Sequence, residues 1–437
     1  MNKSYRLIWN AAKEAWVVAA ETVKNRGSMP SFVVGSAILM AAVLCGALPA
    51  SALDPGALPT GGAITAGSGS ISVSGSQMTI NQQTQQMIAN WNSFNIGANA
   101  GVRFNQPGST ASALNRINDQ NPTQIMGSLS ANGRVFLINP SGIVFGQTAR
   151  VDVGGLVASS LNMLDSDFMA GRYRFSNSGA AGPVINQGLI NAMPGGVVAL
   201  IAPVVQNEGT INAPGGAAAM IAANQVDVDF TGDGLINYTV SQGAVDALAE
   251  NKGLIKADGG MVVMTARAAS SLTTAVVNNS GIIEAKGLIN RGGAIILEAG
   301  DGATTETGSI INTGSLDASN SSGAGGRVDL NAGRFISQTG SISANGDSGG
   351  QIDIQTRNLL DAGQTSATGQ SAGGSITIQA SGRVLQTTAA ELDVSSSNGS
   401  GGNIRLTGGE TAWLSGTMNA SGSSGGDISV TADRKST

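Results

Sequence analysis

The sequence predicts an all-β chain, wound as a right-handed parallel β-helix with an N-terminal cap. Three observations predict it. Gly-Gly doublets recur at 195–196, 215–216, 259–260, 292–293, 325–326, 349–350, 373–374, 401–402 and 425–426, and the last four intervals are 24, 24, 28 and 24 residues. Each of the last five doublets is followed by strict polar–apolar alternation, the mark of a strand with one buried face. These segments are Arg327-Val328-Asp329-Leu330, Gln351-Ile352-Asp353-Ile354, Ser375-Ile376-Thr377-Ile378, Asn403-Ile404-Arg405-Leu406 and Asp427-Ile428-Ser429-Val430. Composition agrees: 63 of 437 residues are Gly, aromatics are 4% and charged residues 12%. Many short strands and tight turns need little more than Gly, Ser, Asn, Val and Ile, and 41% hydrophobic content is too high for a disordered polar chain.

A second short strand precedes the doublets. Gly188-Leu189-Ile190-Asn191-Ala192, Gly209-Thr210-Ile211-Asn212-Ala213, Gly253-Leu254-Ile255-Lys256-Ala257 and Gly340-Ser341-Ile342-Ser343-Ala344 share one form. Asn186, Asn207, Asn251, Asn279 and Asn312 each stand two residues before a Gly at a predicted corner. Asn and Gly tolerate the left-handed backbone that tight corners demand. Two or three short strands per 20–28 residues, with no helical pattern between them, cannot form βαβ units. They suit one coil of a solenoid, which cannot bury its apolar face alone. About 17 coils at about 4.8 Å each would give a rod of about 80 Å, its corners lined by amide ladders. A propeller or sandwich is the alternative, but those folds favour antiparallel hairpins and more aromatic residues.

Residues 53–180 are less regular and hold Trp91, Phe94, Phe104, Phe136, Phe145, Phe168, Tyr173 and Phe175. An open coil end exposes unpaired backbone, so this segment is expected to be the capped N-terminal end.

The composition excludes several chemistries. With no His, neither a Ser-His-Asp triad, a Cys-His pair nor a His-ligated zinc site can form. The single Cys45 excludes intrachain disulfides. Asp227, Asp229 and Asp233-Gly234 resemble part of a calcium loop, but the ligand spacing and terminal Glu are missing, and alternation puts Asp227 and Asp229 on the solvated face of a strand. No phosphate loop or activated nucleophile is visible. The expectation is therefore no catalysis, no cofactor and no metal, with a β-helical carbohydrate-active enzyme as a minor alternative.

The first 52 residues read as an address. Lys3, Arg6, Lys13, Lys24 and Arg26 precede an uncharged apolar stretch over 32–48, and Ala50-Ser51-Ala52 follows as a small-x-small cleavage site. Cleavage after Ala52 is expected. The rest carries 18 cations and 26 anions, a net charge of −8, which argues against a nucleic-acid partner. The charged and aromatic segment 1–27 carries Met1-Asn2-Lys3, Tyr5-Arg6, Ile8-Trp9-Asn10 and Ala15-Trp16-Val17-Val18. It resembles the extended signal peptide of large Gram-negative autotransporters and two-partner-secreted exoproteins, which implies export through the general secretory translocon.

Further motifs point the same way. They are Asn90-Trp91-Asn92-Ser93-Phe94-Asn95-Ile96-Gly97, Val102-Arg103-Phe104-Asn105-Gln106-Pro107, Ala113-Leu114-Asn115-Arg116-Ile117, Asn121-Pro122-Thr123-Gln124-Ile125 and the run from Gly133 to Gly146 that contains Asn139-Pro140-Ser141-Gly142. The stretch 86–170 resembles the secretion domain of two-partner-secretion exoproteins, the filamentous haemagglutinin family, and within it the high-molecular-weight adhesin branch. The resemblance implies an extended signal peptide over 1–52, a secretion domain over 53–300 and β-helical repeats over 301–437, the array cut short. It implies that Asn121, Pro122, Asn139, Pro140 and Gly142 serve recognition by an outer-membrane transporter with POTRA domains. Ser141 stands where the family more often has Asn. Independently of the resemblance, Asn at i, Pro at i+1 and Gly at i+3 fit a type I turn joining Val135–Ile138 to Ile143–Phe145.

The expected function is a secreted, cell-surface exoprotein, reached via the periplasm, that acts as an adhesin toward a host-cell receptor or glycan. The N-terminal part of a contact-dependent toxin-delivery protein is the alternative. The final strand, Asp427–Val430, has no polar cap after it, so either a longer product or end-to-end self-association is expected.

Overall fold

The computed structural model describes residues 53–437 apart from 178, 231–235, 271–273, 289–291, 301–306 and 433–437. It also gives the backbone of an antiparallel pair, Tyr5–Asn10 with Ala15–Ala20, within a first unit, Met1–Ser51. The apolar stretch 32–48, Cys45, the cleavage residues Ala50 and Ala52, and Asp233-Gly234 lie outside the described residues.

The second unit, Ala52–Thr437, is a parallel β-helix. Its base is a 14-stranded sheet in which only the first strand, Gly69–Ser74, runs antiparallel to its neighbour, leaving thirteen parallel strands from Gln77–Gln82 to Thr417–Asn419. Two further rows of parallel strands close each coil. The first row runs through Gln86–Trp91, Ser112–Ile117, Arg134–Ile138, Gly155–Ser159, Val197–Ala202, Ala217–Ala222 and Met261–Ala266. The second runs through Thr123–Ile125, Ile143–Phe145, Val184–Asn186, Val204–Asn207 and Ala247–Asn251. Residues of neighbouring coils sit in register, Ile352 on Val328 and Ile376 on Ile352, so similar apolar residues stack in columns inside the rod.

Thirteen strands correspond to about 60 Å, shorter than a division of chain length by repeat length predicts. Two excursions account for part of the difference; the N-terminal cap and longer coils, such as the one between Asn279 and Asn312, account for the rest. The described residues of 161–181 and 224–242 leave the helix and add no coil. They form α1 (Asp165–Met169) and a three-stranded antiparallel sheet of Tyr173–Ser176, Gln225–Asp229 and Asn237–Gln242. This lateral cover buries the outer face of the first row. Phe136, Phe168, Phe175, Ile201, Ile221, Val226 and Val240 belong to this second apolar core, separate from the coil interior.

The cover corrects the expected role of the aromatic residues. Trp91, Phe94, Phe104 and Phe145 line the coil interior, whereas Phe136, Phe168 and Phe175 sit under the cover with Tyr173 packed against them. The cap itself is smaller than 53–180. It consists of Gly69–Ser74 laid antiparallel on Gln77–Gln82 and Ala63–Ala66 laid antiparallel on Gln86–Trp91. Antiparallel strands thus cover the first parallel strand of the base sheet and of the first row at this end.

Alternation holds where the outer face meets water: Ile352, Ile354, Ile376, Ile378, Ile404 and Leu406 are buried and their sequence neighbours are exposed or half-buried. It fails under the cover, where every residue of Val197–Ala202 and Ala217–Ala222 is buried. The Gly doublets form the corners. A Cβ on Gly350 would stand 2.1 Å from the carbonyl oxygen of Gly326 in the coil before it, so the coil spacing itself demands Gly there. The last strand, Asp427–Ala432, pairs on one side with Asn403–Gly408 and leaves Ile428 and Val430 about half exposed.

Candidate functional site

The turn predicted at Asn139 forms. The Gly142 N–H donates to the Asn139 carbonyl at 2.9 Å, and the Ser141 N–H donates to Asn139 Oδ1 at 2.9 Å. The turn joins Arg134–Ile138 to Ile143–Phe145. Asn139 is fully buried. Its Nδ2 donates to the Asn121 carbonyl and to Thr123 Oγ1, both at 3.0 Å. Ser141 Oγ donates to the Asp119 carbonyl at 2.9 Å, which gives the Ser a task of its own at this position. The Thr123 N–H donates to the Gly142 carbonyl at 3.0 Å. The two Asn-Pro motifs therefore lie one directly on the other, in adjacent coils.

A third coil completes the stack. The Gly182 N–H donates to the Pro140 carbonyl at 2.8 Å and the Ile143 N–H to the Pro183 carbonyl at 3.0 Å. Gly142 has φ +108°, and a Cβ there would stand 2.7 Å from the Pro183 oxygen, so both backbone and space require Gly. Asn121 differs from Asn139. It is exposed, and its side chain reaches only Asp119 Oδ1, at 3.1 Å. Of the five residues implicated by resemblance, Asn121, Pro122 and Pro140 face solvent, while Asn139 and Gly142 are interior.

The other motifs converge on the same end of the rod. Asn95 Oδ1 accepts from the Gln124 N–H at 2.8 Å. Trp91 Nε1 donates to the buried Asn115 Oδ1 at 3.0 Å, and Asn115 Nδ2 donates to the Phe136 carbonyl at 3.2 Å. Arg116 then leaves the first row sideways. It donates to the Met163 carbonyl at 2.7 Å and contacts Asn162 and Asp165, which pins the start of α1. Gln86 Nε2 holds the end of α1 through the Phe168 carbonyl at 2.8 Å. Phe136 lies at the centre of the cover, stacked on Tyr173 at 5.1 Å and edge-on to Phe168 at 5.3 Å and Phe230 at 6.0 Å. Tyr238 of the cover bonds Glu298 of the coil, and burial, with that carboxylate adding to it, pushes its hydroxyl pKa up.

Sequence reasoning missed the cover and its ties through Gln86 and Arg116. The signal was available: Val197-Val198-Ala199-Leu200-Ile201-Ala202 and Ala217-Ala218-Ala219-Met220-Ile221-Ala222 are unbroken apolar runs where a one-faced strand would alternate.

The amide ladder runs as predicted. Asn186, Asn207, Asn251 and Asn279 each donate Nδ2 to the next Oδ1 in the series, ending at Asn312, every bond 2.8 Å. All five are buried. The ladder goes further than the Asn residues, since Asn312 donates to Gln338 Oε1 at 2.7 Å. Asp227 and Asp229 lie on the cover sheet rather than on a coil, and Asp227 is paired with Arg174 at 2.8 Å. Among the described residues no cluster of three or more acidic, His or Cys side chains could hold a metal. An open groove of about 530 Å³ on the rod's flank is lined by Arg103, Asn105, Ser130, Asn132, Asp152 and Met193 among others, with Asp152 its single carboxylate.

Comparison with known proteins matches residues 56–312 to the TPS secretion domain and residues 1–50 to the extended signal peptide of the type V secretion system. A heme/hemopexin-binding protein of Haemophilus influenzae is 32% identical over 197 residues, which is 44% of this chain and 22% of that relative. A second Haemophilus influenzae protein of the same description is 36% identical over 113 residues, 26% of this chain and 12% of that protein. The chain thus matches less than a quarter of either relative's length. The crystal structure of the HMW1 secretion domain from Haemophilus influenzae superposes with a TM-score of 0.65 at 25% identity, over 86% of this chain and 98% of that one.

Proposed function

The chain belongs to the TPS secretion domain family and is a two-partner-secretion exoprotein, carried through the periplasm to the cell surface of a Gram-negative bacterium; on that premise we propose that residues 53–300 are the part an outer-membrane transporter recognises, and that the exported protein is a non-enzymatic adhesin. The observation that carries the first reading is the direct stacking of the two Asn-Pro corners, with Asn121, Pro122 and Pro140 exposed side by side and Asn139 clamping them from inside. Recognition would use the exposed edge of this corner. The buried clamp would set its shape.

Folding supplies direction. A chain that leaves the transporter one segment at a time can add each coil to the last, and every added coil buries apolar surface that the unfolded chain exposes. The cover packs on coils that precede it, through Arg116 and Phe136, and on a coil that follows it, through Glu298, so the secretion domain is tied laterally as well as axially.

Adhesion is supported by what the relatives are named for. The heme/hemopexin-binding relatives are named for binding partners. The flank groove offers one carboxylate, where glycoside hydrolysis uses two.

The test is export of residues 1–300 with and without a cognate outer-membrane partner, combined with thermal melts of the same variants. Asn139→Ala is expected to lose more export than its loss of stability accounts for, with a smaller effect for Asn121→Ala. Export without any partner, or normal export of Asn139→Ala, would remove the recognition role. Export loss that only tracks the melt would reduce the corner to a folding element.

A further inference from the structure

Beyond Asn312 the amide column inside the rod changes character. Gln338, Asp361 and Gln386 occupy the next three positions in register, and all three are buried. From Asn186 to Asn312 every amide donates forward, from one coil to the next, and Gln338 accepts the last of these bonds. At Asp361 the direction reverses. Gln386 Nε2 donates backward to Asp361 Oδ2 at 3.2 Å, Gln338 Nε2 turns to the Gly340 carbonyl at 3.1 Å, and Gln386 Oε1 is buried with no partner. Among the described residues the one other donor to the carboxyl is the Gly363 N–H, at 3.4 Å.

No charged side chain compensates a carboxylate here. On the base strands of these coils Ile342, Thr365 and Leu392 stack in register, all buried and uncharged, with Thr365 Oγ1 unpartnered. Arg334, Arg357, Arg383, Glu391 and Asp393, on the strands packed around Asp361, are exposed or half-buried at the surface of the rod.

We propose that Asp361 is a protonation-controlled joint in the coil stack, which holds the coils on its two sides together firmly when its carboxyl is neutral and loosely when it is ionised. A neutral carboxyl ends the burial of an unpaired charge. Its O–H, after a flip of the Gln386 amide, donates to Gln386 Oε1 and turns the Asp361–Gln386 bond to the forward direction of the ladder, with Gln386 Nε2 in the place Oε1 held. Burial raises the Asp361 pKa from its ordinary 3.8 to about 6. Because the closed coil binds the proton more readily than the opened one, closure is favoured in mild acid and weakens as pH rises through about 6.

The experiment is hydrogen exchange on the full folded chain between pH 4.5 and 7.5, corrected for the intrinsic pH dependence of exchange. In the native sequence, protection of Gln351–Asp361 and Arg383–Gln386 is expected to fall at least about tenfold from acid to neutral pH. Val197–Ala202, far along the rod, should not change. In Asp361→Asn the tenfold response should vanish and protection at neutral pH should exceed that of the native sequence. An unchanged pH response in Asp361→Asn overturns the proposal. Should that variant not fold, the native protein decides alone: equal pH response of Gln351–Asp361 and Val197–Ala202 also overturns it.

Discussion

The side-chain amide of Asn139 donates to the backbone carbonyl of Asn121 at 3.0 Å, so the later Asn-Pro corner is built directly upon the earlier one. A buried residue of one motif thereby sets the backbone of an exposed residue of the other.

That asymmetry predicts unequal mutational costs. Asn139→Ala strands Thr123 Oγ1, the Asn121 carbonyl and the Ser141 N–H together, and is expected to cost about 2–3 kcal/mol. Asn121→Ala loses only an exposed contact with Asp119 and should cost less than about 0.5 kcal/mol. Chemical denaturation of the two variants side by side checks this, and equal costs would contradict the clamp.

Gly142→Ala meets two obstacles, φ at +108° and the Pro183 oxygen 2.7 Å from the new Cβ. A cost of about 2–3 kcal/mol is expected. Pro140→Ala keeps the turn's hydrogen bonds and should cost about 1 kcal/mol or less. The ranking of the two midpoints is the measurement.

Phe136→Ala should loosen the cover selectively. It removes a stacked contact and two edge contacts at once, worth about 3–4 kcal/mol. Proteolysis within 161–181 and 224–242 is expected to accelerate while the strands from Ala294 onward keep their protection. Uniform loss of protection along the rod would show that cover and coil unfold as one.

Acid should act on the outer ion pairs with the opposite sign to Asp361. Burial pushes Glu250 up, but bonds from Lys252, Gln206 and Asn278 outweigh it and hold its pKa below the usual 4.5. Glu284 is likewise pushed up by burial and, on balance, held low by Lys286 and Lys256. Depressed carboxyl pKa values give stability that is present above about 4.5 and lost as pH falls further. The Lys252→Met, Lys286→Met double variant should therefore lose less stability than the native chain between pH 5 and 3. A denaturation midpoint at each pH reads this directly, and identical acid losses would show that the pairs contribute nothing.

Chelator should leave the melting temperature unchanged. Asp227 is engaged with Arg174, and no metal-ligating cluster exists among the described residues. A drop of several degrees that calcium reverses would point to the loop around Asp233.

The sequence by itself determined the coil. Gly doublets at near-constant intervals, alternation after the last five of them, and an Asn at one corner of each coil from Asn186 to Asn312 specify local geometry, and local geometry repeated in register is a β-helix. The Asn139-Pro140-Ser141-Gly142 turn was legible for the same reason, since its hydrogen bonds span only four residues. Tertiary structure decided what depends on distance. That Asn139 reaches Asn121 across a coil, and that Phe136, Phe168 and Phe175 serve a lateral core while Trp91 and Phe145 serve the interior, follows from which face each residue presents to a chain segment tens of residues away. The number of coils was decided there too, in part because residues within 161–181 and 224–242 leave the helix to cover it. Their apolar content looks like that of any other strand until the surface they bury is in place.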